Sequence, residues 1–93
     1  MYTRIQKQLK DAVRFRRYIV TMHAVEEMND DGFTIFDVEH CVLHGEIVER
    51  QKEQKTSEWK YVICGDTFQK QAICVVVKMG ITGKMVIITV YAA

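Results

Sequence analysis

The chain of 93 residues carries 48% hydrophobic and 27% charged side chains, no proline and a formal net charge of +1. That length fits a single domain over residues 1–93 with one core, and the composition excludes a disordered or fibrous chain. No apolar run approaches the ~20 residues that a spanning helix needs, and none follows the basic N-terminus, so the expectation is a cytoplasmic protein without signal peptide or membrane partner.

Charge is unevenly spread. Residues 1–20 hold six basic side chains and one acid, residues 21–53 hold nine acids and two bases, and residues 54–93 hold five bases and two acids. Such polarity suits a charged partner, although a solvated helix face explains it as well. Cys41, Cys64 and Cys74 form no C-x-x-C pair. Buried reduced thiols are expected, rather than a disulfide framework or a zinc ribbon.

In residues 2–17, Ile5, Leu9, Ala12 and Val13 recur at helical spacing, predicting an amphipathic helix with a basic outer face. Tyr18, Ile19 and Val20 are β-prone and lead into Thr21, a suitable N-cap for a second helix lined by Met22, Val25 and Met28. Asn29, Asp30, Asp31 and Gly32 end it with loop chemistry. Thr34 and Asp37 have the spacing of a capping box, opening a third helix whose buried stripe is Ile35, Val38, Val42 and Leu43. Gly45 closes that helix.

The remainder reads as four strands: 46–53, with mixed charge suited to an edge; 57–64; 72–79, apolar enough to be central; and 85–91. Short connections make them an antiparallel meander. The predicted fold is therefore α+β, with three N-terminal helices packed on one face of a four-stranded antiparallel sheet.

Strand alternation suggests where chemistry could gather. If registers allow, Arg50, Lys52, Lys60 and Lys78 collect on one concave sheet face, where they would attract phosphate. The competing reading is strand cations that discourage edge pairing. His23, near the start of the second helix, either exchanges a proton near neutral pH or orients the helix by bonding a strand carbonyl. His40 and His44 lie one helical turn apart, but two ligands make no metal site, and Cys41 points toward the core. Neither a Gly-rich phosphate loop nor a nucleophile elbow is present. No cofactor and no metal ligand is expected.

Four stretches carry a resemblance. They are T-x-H-A-x-x-x-M-x-x-x-G (Thr21, His23, Ala24, Met28, Gly32), D-V-x-x-C-V-L-x-G-E-I-V-E (Asp37 to Glu49), W-K-Y-x-I-x-G (Trp59 to Gly65) and V-I-I-T-V-Y (Val86 to Tyr91). Together they resemble a bacterial family of small proteins filed as a domain of unknown function, over about residues 18–91. Its members are often encoded beside a zinc-finger antitoxin of the YgiT/MqsA type and are grouped with RelE-like and MqsR-like messenger-RNA interferase toxins. The resemblance implies a RelE-like fold and a toxin of a type II toxin–antitoxin system. The implied activity is a metal-independent endoribonuclease cleaving mRNA, free or on the ribosome, with a cognate antitoxin as partner.

Carried onto this sequence, the resemblance implies that Lys60 with Arg50 or Lys52 stabilises the phosphate and that Lys78 assists. His23 or Tyr91 would handle protons, and Trp59 or Tyr61 would stack an unpaired base. Many relatives carry arginine where this chain has Glu27 and Asp31. Two further readings stand beside it: a non-catalytic module that binds protein or nucleic acid through the basic first helix, and a metal enzyme built on His40 and His44.

Overall fold

The computed structural model describes residues 2–93. Helix α1 spans Thr3–Arg14, strand β1 Tyr18–Val20, helix α2 Met22–Asp31 and helix α3 Ile35–His44. Strands β2 (Glu46–Lys52), β3 (Trp59–Asp66), β4 (Ala72–Met79) and β5 (Met85–Ala92) complete the chain. Local chemistry sets the boundaries. Thr21 Oγ1 accepts the Ala24 N–H at the start of α2, and Gly32 closes that helix in the left-handed region at φ 74°. Thr34 and Asp37 form the reciprocal capping box of α3.

The sheet corrects the four-stranded antiparallel, RelE-like expectation. It has five strands in the order β1-β5-β4-β3-β2, and β1 runs parallel to β5 with Tyr18, Ile19 and Val20 opposite Met85, Val86 and Ile87. The β2-to-β5 meander is antiparallel, as its short connections require. The three residues of β1 are extended as expected. What the sequence conceals is their pairing with a strand at the far end of the chain.

One face of the sheet carries the core. Ile47, Ile63, Ile73, Val75, Val77, Met85, Ile87 and Val90 pack with Leu9, Ala12 and Val13 of α1, Ala24 and Met28 of α2, and Val38, Cys41 and Val42 of α3. The α3-to-β2 junction is unusually close. A Cβ on Gly45 would stand 2.6 Å from the Cys41 carbonyl oxygen and 2.7 Å from that of Cys64, while one on Gly65 would stand 3.0 Å from Gly45 Cα. Only glycine admits this approach.

Helix α2 has a second task. Strand β1 pairs only with the first residues of β5, and α2 covers the edge beyond it. Thr21 donates its N–H to the Ile87 carbonyl (3.1 Å) and its hydroxyl to that of Ile88 (3.1 Å). The Glu27 carboxylate accepts the Val90 N–H at 3.1 Å. The Thr21 hydroxyl and the Glu27 carboxylate thus stand in for strand partners at Ile88 and Val90.

The expectation of three reduced thiols is also corrected. Cys64 and Cys74 are register partners on β3 and β4 and form a disulfide. Cys41 alone is free; it is buried in the core, and burial pushes its thiol up to about 12. No helix among the described residues is long and apolar enough to cross a membrane.

Candidate functional site

The face of the sheet away from the core holds the most concentrated chemistry. Tyr61 pairs with Val77, so the next position along the ladder sets Lys60 of β3 against Lys78 of β4. Like charges placed directly opposite repel unless something compensates. The β2–β3 loop supplies it. Glu53 donates its N–H to the Glu58 carbonyl (2.8 Å) and accepts the Ser57 N–H (2.8 Å), with Ser57 in the left-handed region at φ 59°. This tight closure brings the two glutamates together. Lys60 Nζ lies 3.0 Å from Glu53, and Lys78 Nζ lies 3.3 Å from Glu58.

These four side chains line a groove of about 350 Å³ with Thr21, Thr56, Val86 and Ile88. The hydrogen bond and charge of Lys60 hold the Glu53 carboxyl below its usual range, so it stays ionised. Both lysines keep 30% of their side chains exposed, and both glutamates about a third. Ion pairs this open are weak, so an incoming phosphate can replace a glutamate on either ammonium.

The expected four-cation face is split in two. The register shifts between Ile47 and Glu49, so Val48 is an extra residue in β2, and Arg50 falls opposite Tyr61 and Lys52 opposite Trp59. That one-residue bulge turns both cations to the helix side. Lys60 and Lys78 remain on the open face. Trp59 and Tyr61 lie with Arg50, away from the lysines. The Arg50 guanidinium sits 4.1 Å from the centre of the Trp59 ring, and Lys52 Nζ sits 5.7 Å from it.

The two expected proton carriers stand apart from the groove. Tyr91 is on the open face but pairs with Cys74, four residues along β4 from Lys78, a separation of about 13 Å. His23 is two-thirds exposed on α2, with Nε2 3.3 Å from Glu27. It does not line the groove. His40 Nδ1 bonds the Asp66 carbonyl at 2.9 Å, and its ring centre is 4.7 Å from that of His44 and 4.4 Å from that of Phe68. Among the described residues, no group of three or more His, Cys, Asp or Glu side chains gathers as a metal site.

Sequence reasoning missed Glu53 and Glu58. Their signal was two acids bracketing a short polar segment just before the W-K-Y stretch, and it gains meaning only once the loop closure is known. Residues 20–92 match a family described as a domain of unknown function, DUF4258. No curated protein and no solved structure gives a match.

Proposed function

The chain belongs to the DUF4258 family, and we propose that it is a metal-independent endoribonuclease acting on mRNA, the toxin of a toxin–antitoxin pair. The observation that carries this reading is the Lys60–Lys78 pair facing a groove beside Glu53 and Glu58. Cleavage by a neighbouring 2′-hydroxyl needs a base for that hydroxyl, cations for the charge building on phosphorus, and an acid for the departing 5′-oxygen.

Glu58 or Glu53, released from its lysine when the phosphate arrives, accepts the 2′-hydroxyl proton. The 2′-oxygen bonds to phosphorus, the bond from phosphorus to the 5′-oxygen breaks, and a lysine ammonium donates a proton to the leaving oxygen. The products are a 2′,3′-cyclic phosphate and a 5′-hydroxyl. His23, Tyr91 and Arg50 have no direct part in this scheme. A cognate antitoxin of the zinc-finger type, suggested by the resemblance alone, would act by covering the groove. A messenger-RNA substrate would also place the protein in the cytoplasm.

A second reading keeps the same surface without chemistry. Both lysines are already neutralised by glutamate, which suits a module that exchanges one acidic partner for another. Incubating purified protein with unstructured RNA in EDTA separates the two. Fragments ending in 2′,3′-cyclic phosphate support the nuclease, and intact RNA supports the module.

A further inference from the structure

The bulge at Val48 creates a second surface, on the helix side of the sheet. Arg50 stacks on Trp59, Lys52 approaches the same ring, and Tyr2 meets Tyr61 edge to face with centroids 6.5 Å apart. Tyr2, Arg4, Ile5, Gln8, Arg50 and Tyr61 line a shallow pocket of about 300 Å³ there. Trp59 is 39% exposed.

The charge pattern differs from that of the groove. Lys60 and Lys78 each have a glutamate, whereas Arg4, Arg50 and Lys52 have no ion-pair partner among the described residues. Among the described residues no acid lines the pocket. Unpaired cations beside the exposed Trp59 ring and the half-buried Tyr61 ring suit a ligand that carries both flat rings and regular negative charge. Phosphates meet the cations while unstacked bases lie on indole, phenol or guanidinium planes. A duplex buries its base faces in its own stack and cannot use the rings.

We propose that the Arg50–Trp59–Tyr61 surface is a binding site for single-stranded RNA, separate from the lysine groove. It rests on the ribonuclease reading only for the choice of RNA. Trp59 and Lys60 are consecutive residues facing opposite sides, and β2, about 5 Å wide, is all that lies between them and the sheet edge. A strand held at Trp59 therefore has a short path around β2 to the groove.

The chain has one tryptophan, so its emission reports this site directly. The test is titration of the full chain with a 2′-O-methyl oligouridylate, which has no free 2′-hydroxyl to attack. Binding of the labelled oligonucleotide is followed in parallel by anisotropy. The expected result is quenching of Trp59 on binding and a loss of affinity of about tenfold or more in Arg50→Ala and Trp59→Ala. Trp59→Phe should retain most of the affinity, separating stacking from misfolding. Lys70→Ala, in the exposed β3–β4 turn at the end of β3 away from Trp59, should bind like the parent. Three results would each overturn the proposal: binding without any change at Trp59, equal affinity for a duplex, or displacement of the RNA by a polyglutamate peptide, which marks an acidic protein site. Intact RNA in the cleavage assay with quenching preserved defeats the nuclease reading alone.

Discussion

Lys60 and Lys78 face each other across β3 and β4, and each is held by a glutamate from the same six-residue turn. The pairing ties the β2–β3 loop to the open face of the sheet, so the site depends on the loop closing at Glu53 and Glu58. A cation pair without those acids would be destabilising, and acids without the cations would be an ordinary solvated loop.

Glu27 exemplifies a charge whose role is structural. Its carboxylate accepts the Val90 N–H on an edge that no strand covers. Glu27→Ala leaves that donor unpaired and should cost roughly 1–2 kcal/mol in urea unfolding, whereas Glu27→Gln, which keeps an acceptor oxygen, should cost less. Equal stability of parent and Glu27→Ala would show that water satisfies the edge. The resemblance had pointed to arginine at this position, and the Val90 bond gives a reason for an acid here.

Tyr18 joins β1 to α3 through a 2.6 Å hydrogen bond from its hydroxyl to Glu39. Burial, then the bond to Glu39 and its charge, push the phenol from 10.0 up to about 12. A raised folded value means that the neutral phenol stabilises the fold fully below pH 10 and that this contribution is lost as pH rises toward 12. Tyr18→Phe should cost about 1–2 kcal/mol at pH 7, and its deficit should shrink between pH 10 and 12. Urea titrations at pH 7 and at pH 11 check this.

The Cys64–Cys74 bond staples β3 to β4 on the face that carries the lysines. Unfolded and alkylated without reductant, the protein should take one label, on Cys41; with reductant it should take three. Reduction should lower stability by about 2–3 kcal/mol, the loop-closure value for a bridge spanning this hairpin. Three labels without reductant would mean that the bond does not form.

The helices were legible because their signals are local. The Thr34–Asp37 box and the Thr21 cap lie within one turn of what they control, whereas Asn29, Asp30 and Asp31, expected as loop, continue α2 as far as Gly32. The meander was legible from short connections. The parallel partner of β1 was not, because Tyr18 and Met85 are distant in the chain and nothing near either residue encodes the other. The split of the cations was hidden for a related reason. Strand alternation places Arg50 beside Lys60 until one extra residue, Val48, reverses the phase, and neither phase exposes Ile47. Cys64 and Cys74 likewise meet through register, which spacing motifs do not reveal.

The central claim is that the lysine groove cleaves RNA. The direct measurement is single-turnover cleavage of an unstructured RNA in EDTA by the parent, Lys60→Ala, Lys78→Ala and the double variant, with thermal unfolding of each alongside. The account predicts rates lower by about 10²–10³ in each single variant. Melting should change little, because both ion pairs are open to solvent. Full cleavage by a folded Lys60→Ala/Lys78→Ala protein would contradict it.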